Sequence, residues 1–139
     1  GCPLGESKMH THESHIAVRY AETDAMGVVH HGSYVVWFEV GRTEWLQSLG
    51  YHYSDFEQSG FYLVVAEIGL RYLRPARYGD TVIVRTSATE IKSRAIRFQY
   101  DIYRAADQDL LVTGFTRHIL TDHEGNIRKF PDYMWRLIN

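Results

Sequence analysis

Residues 19–44, RYAETDAMGVVHHGSYVVWFEVGRTE, join a polar loop carrying one acid, Asp24, to two adjacent histidines, His30 and His31, and then to an unusually apolar run. No proline interrupts residues 33–49 and Gly50 follows as a left-handed stop, so the pattern predicts a helix of about four turns. Tyr34, Val35, Val36, Trp37, Phe38 and Val40 make its first half apolar on every side. Such a helix has to be enclosed by other structure rather than laid on a surface. Gly27 and Gly32 flank its start, where they let the backbone turn sharply and bring free N–H groups close to a ligand. A helix start of this kind can hold an oxyanion or a polarised carbonyl. Asp24 precedes it by about seven residues, so the loop can bring a carboxylate beside those N–H groups.

Upstream, residues 1–13 are polar, contain Gly and Pro and show no periodicity, which predicts a disordered leader or a remnant of expression, with a native start at Met9. His10, His12 and His15 have metal-catching spacing, but in a floppy terminus they are assigned no role. Ile16, Val18 and Tyr20 alternate with Ala17 and Arg19 and predict a short half-buried strand. Downstream, residues 51–60 read as a connection with one helical turn over 54–58, after which the period changes to two. In residues 61–73 one face carries Tyr62, Val64, Ala66, Ile68, Leu70 and Tyr72 and the other includes Glu67, Gly69 and Arg71. Strands are also predicted over 81–91, through Ile96, Phe98, Tyr100 and Ile102, and over 110–121; Pro131 opens a short closing helix through Leu137.

One short strand, one long helix and four strands linked by tight turns predict a single α+β domain over residues 14–139. In it about five antiparallel strands curl around one long central helix. The helix covers one face of the sheet and the edges stay unpaired, so self-association is expected.

With 139 residues the chain buries a sizeable core without staples. The single cysteine, Cys2, excludes an intrachain disulfide and a Cys-based zinc site, and a reducing, cytoplasmic location is expected. Fifteen basic and 17 acidic residues, net −2, are spread without blocks, which argues against a nucleic-acid or membrane-surface binder. No run approaches the roughly 20 apolar residues of a membrane span.

The run TDAMGVVHHGSYVVWFEVGRTEWL, residues 23–46, resembles the active-site loop and helix of the hotdog-fold acyl-CoA thioesterases, of the 4-hydroxybenzoyl-CoA thioesterase type and its relatives. The likeness extends over residues 16–131. It implies a hotdog fold, an acyl-CoA substrate, no metal or organic cofactor, and a homodimer or dimer of dimers, the tetramer being expected. It also implies that Asp24 is the catalytic carboxylate and that the backbone N–H of His31 polarises the thioester carbonyl. CoA is then expected at a subunit interface, with Lys92, Arg94, Arg128 and Lys129 matching positions that hold the nucleotide phosphates.

The chemistry agrees without the likeness, because thioester hydrolysis needs a carboxylate as base or nucleophile and donors aimed at the developing oxyanion. The bland alternatives are that Asp24 caps a turn, that the histidines pack, and that Glu39 merely pairs with Arg42. Tyr34, Trp37 and Phe61 are candidates either for an acyl pocket or for core packing. Ser33 and Ser48 lack a Gly-x-Ser-x-Gly elbow. The competing functions are a hydratase or dehydratase using a histidine side chain with an acid, and a non-catalytic acyl-CoA-binding protein.

Overall fold

A computed structural model describes residues 10–139. Five strands, β1 (Thr11–Ala17), β2 (Phe61–Tyr72), β3 (Thr81–Ile91), β4 (Ala95–Arg104) and β5 (Leu110–Asp122), form one antiparallel sheet in the order β1-β3-β4-β5-β2. Three helices accompany it: α1 (His31–Ser48), α2 (Tyr53–Gln58) and α3 (Asp132–Ile138). The expected single layer against one long helix is present.

Helix α1 lies on the β1 and β3 side of the sheet. Tyr34, Trp37, Phe38, Gly41, Trp45 and Leu46 follow helical spacing and are its buried residues. They meet Val84, Phe98, Tyr100 and Ile102, with the Phe38 and Tyr100 rings stacked at 4.2 Å. The all-round enclosure predicted from the apolar first half is absent within one chain, since Val35 and Val36 are 38% and 50% exposed. Strand β2 has the poorest burial in the sheet as well.

Three expectations need correction. Residues 11–13 are not a leader: Thr11 to Ala17 pair with Ser87 to Thr81, and the Trp45 indole donates to the His10 carbonyl at 2.8 Å. Pairing to β3 decides the strand where the polar composition suggested none, and the predicted strand through Tyr20 ends at Ala17; residues 1–9 of the proposed leader lie outside the described residues. Second, β2 carries a bulge between Val65 and Glu67. One extra residue reverses the alternation, so Tyr62 and Val64 face opposite to Ile68, Leu70 and Tyr72 rather than sharing their side. Third, among the described residues Glu39 and Arg42 form no ion pair; the Arg42 charge lies near Tyr100 instead.

Candidate active site

The loop before α1 is built from hydrogen bonds of its own backbone. Tyr20–Glu22 forms one 3-10 turn, and Thr23 then bridges to Val29 while the Asp24 N–H donates to the Val28 carbonyl at 2.8 Å. Gly27 closes the hairpin at φ +78°, a left-handed conformation that favours glycine. The segment after β2 clamps it from outside: Val29 N–H donates to Ala76 O, Tyr78 N–H donates to Gly27 O, and Val28 bridges to Arg77.

Asp24 does cap this turn, through one oxygen. Its Oδ1 accepts the N–H groups of Met26 at 2.8 Å and Val28 at 3.1 Å. Among the described residues its Oδ2 has no recorded partner, and the residue is exposed. Those two N–H groups hold the carboxyl below its ordinary value, with His30 nearby adding to the effect, so it is ionised at neutral pH.

Helix α1 begins two residues earlier than the sequence pattern suggested. His30 is its N-cap, without a side-chain cap, and His31 is the first helical residue. The His30 N–H is taken by Glu22 O at 2.9 Å, and the Ser33 N–H by His30 O. Among the described residues no acceptor is recorded for the N–H groups of His31 and Gly32. They stand at the positive end of an 18-residue helix.

Beside them is a cavity of about 260 Å³, lined by Val28, Val29, His31, Tyr34, Tyr72, Leu73, Arg74 and Pro75. The His31 imidazole stacks on Tyr72 at 4.3 Å, and the Tyr34 hydroxyl accepts the Ala76 N–H at 3.0 Å. Of the aromatic candidates, Tyr34 lines this cavity, Trp37 is core, and Phe61 packs against the core at the other end of β2. Tyr72, Leu73 and Arg74 escaped the sequence reading as site residues, because only the course of β2 brings them to the helix start.

Glu22 was also missed. It is 7% exposed, and its carboxylate accepts the Arg19 N–H at 2.8 Å and the Trp37 indole at 2.8 Å. Burial pushes its pKa up, but the Arg19 N–H, the Trp37 indole and the Arg19 guanidinium outweigh it and leave the group lowered, hence charged.

The four basic residues gather elsewhere. Arg94 O accepts the Leu120 N–H, Leu120 O accepts the Arg128 N–H, and Ser93 O accepts the Phe130 N–H, so turn 92–94 lies against residues 128–130. Arg128 is held by Asp122 at 2.9 Å and Lys92 lies 3.7 Å from Glu90, whereas Arg94 and Lys129 have no ion pair among the described residues. The site abuts Leu111 and this cluster abuts Leu120. Nine residues of strand at roughly 3.3 Å each separate them by about 30 Å. One chain therefore does not bring the cluster to Asp24.

No group of three potential metal ligands occurs among the described residues. His12 and Glu44, 3.5 Å apart, form the one histidine–carboxylate pair within 4 Å among them, far along α1 from the loop.

A one-layer antiparallel sheet on a single long helix is the architecture of the hotdog-fold thioesterases. The chain belongs to the thioesterase-like superfamily, whose family model matches residues 18–135. It is 40% identical over 130 residues to YneP of Bacillus subtilis, a provisionally named acyl-CoA thioesterase, covering 90% of this chain and 94% of the relative. Among solved structures, the protein TT1821 from Thermus thermophilus superposes with a TM-score of 0.85 at 41% identity, over 91% of this chain and 95% of the other. A DHNA-CoA thioesterase from Staphylococcus aureus gives 0.85 at 31% identity, over 90% and 87%.

Proposed function

We propose that the chain hydrolyses acyl-CoA thioesters to free acid and CoA, with Asp24 and the backbone N–H of His31 as its catalytic groups. The observation that carries this reading is the division of labour at Asp24. Oδ1 is fixed by two loop N–H groups, leaving Oδ2 of an ionised carboxylate in the loop that runs through His30 into α1, whose first N–H groups meet no acceptor among the described residues. A thioester carbonyl set against His31 and Gly32 N–H is polarised, and the charge developing on its oxygen falls at the positive end of α1. As a base, Oδ2 takes a proton from water while the water oxygen attacks the carbonyl carbon. The C–S bond then breaks and the thiolate leaves as CoA thiol with a proton. As a nucleophile, Oδ2 forms an acyl anhydride that water opens, with the same products.

The distance to the basic cluster supports a site shared between two copies. If Lys92, Arg94, Arg128 and Lys129 hold CoA phosphates, they do so for the neighbouring chain. Two β2 edges pairing antiparallel about a two-fold axis set the Phe61 end of one copy, with its basic cluster, beside the Tyr72 end of the other, with its Asp24.

Release of free thiol from a panel of CoA thioesters, followed with a thiol reagent, tests the reading. Turnover of at least one acyl-CoA is expected. Binding without thiol release favours the non-catalytic acyl-CoA-binding protein, and water addition to an enoyl-CoA without thiol release favours the hydratase.

A further inference from the structure

We propose that Glu22 is a positioning residue that fixes the Asp24 loop against the start of α1, an inference that rests on the active-site reading above. Glu22 touches both halves of the site without facing the cavity. Its Oε1 accepts the Arg19 N–H at 2.8 Å and so closes the 3-10 turn leading to Asp24. Its Oε2 accepts the Trp37 indole N–H at 2.8 Å, which ties the same turn to the second turn of α1. Its carbonyl accepts the His30 N–H at 2.9 Å, directly before the first helical residue. One residue thus joins the carboxylate's loop to the oxyanion donors by three bonds, two of them to an ionised and largely buried group, where such bonds are strongest. With both oxygens occupied, it is not itself available as the base.

The arrangement needs an acceptor at both carboxylate oxygens. Glutamine offers one acceptor and one donor, so in either rotamer its amide N–H₂ confronts the Trp37 indole or the Arg19 N–H. One tie is lost and volume is kept. A small displacement of a catalytic group costs rate far more than binding.

The test compares Glu22→Gln, Asp24→Asn and the double variant on an acyl-CoA that the wild type turns over, with kcat, KM and Tm measured for each. Glu22→Gln is expected to lower kcat by about tenfold or more with KM within about twofold. Because Glu22 acts through Asp24, adding Glu22→Gln to Asp24→Asn is expected to lower kcat no further. A Glu22→Gln enzyme with lower Tm but unchanged kcat, or losses that multiply in the double variant, overturns the proposal. Trp37→Phe, which removes the helix tie and keeps Glu22, serves if Glu22→Gln does not fold: a fall in kcat without a rise in KM supports the proposal and an unchanged kcat overturns it. Full activity of Asp24→Asn instead sinks the active-site reading, which is a separate result.

Discussion

At Asp24 the structural role and the proposed chemical role fall to different oxygens of one carboxylate. Asparagine keeps an acceptor for the Met26 and Val28 N–H groups but replaces the reactive oxygen with an amide. Asp24→Asn is therefore expected to fold, to bind a non-hydrolysable CoA thioether as the wild type does, and to lose at least about a hundredfold in kcat. Isothermal titration and thiol release measure the two halves. A second titratable residue speaks to stability. His118 is fully buried in β5, hydrogen-bonded to Thr116 at 2.8 Å, and burial, with Arg42 nearby, pushes its pKa down to about 4. Unfolding lets it take a proton near 6.5, so between pH 6.5 and 4 the unfolded chain binds more protons and stability falls as pH falls. The loss is on the order of 3 kcal/mol across that window. Urea midpoints at pH 7 and pH 5 are expected to differ more for the wild type than for His118→Gln. The junction of the Asp24 loop with a helix start at His31 was legible in the sequence because both lie in one contiguous stretch. Glu22 was not, because its meaning lies in Trp37, fifteen positions away.

Elements were legible where periodicity is local and illegible where pairing decides. The 3.6-residue spacing in α1 and the alternation in β4 both survive folding, and Pro131 does stand immediately before α3. The β2 bulge leaves no mark that alternation alone can detect, since both halves read apolar at every second position. Close packing of α1 on the sheet is likewise invisible until the partner strand is known. A Cβ added at Gly41 would meet the Thr86 hydroxyl and come within 3.0 Å of a Val84 methyl. Alanine there gains about 1 kcal/mol in helix propensity. Overpacking costs about 1–3 kcal/mol, so the balance is a net loss. Gly41→Ala is expected to lower the denaturation midpoint, and Thr86→Ala in the same chain to restore part of it.

For the whole molecule, the single chain leaves its own surface unfinished. Along β2, Tyr62, Val64, Val65, Ile68 and Tyr72 are each 39–47% exposed, and Val35 and Val36 on α1 are exposed too. The opposite edge, β1, instead carries His12, Glu13 and His15. A long apolar edge strand invites a second copy, while a polar one discourages it. A dimer or a dimer of dimers is expected by light scattering at micromolar concentration, and Ile68→Lys is expected to give monomers with little residual activity. A stable, fully active wild-type monomer would remove the shared site.

That shared site can be read by complementation. Chains carrying Asp24→Asn and chains carrying Lys92→Ala with Arg94→Ala are unfolded together, refolded, and assayed for thiol release at acyl-CoA concentrations below the wild-type KM. If each site takes its carboxylate from one copy and its phosphate contacts from the other, every mixed dimer contains one intact site. About a quarter of all sites are then intact, with wild-type kcat and KM together, though neither parent has such a site. A mixture no more active than the sum of its parents would contradict the account.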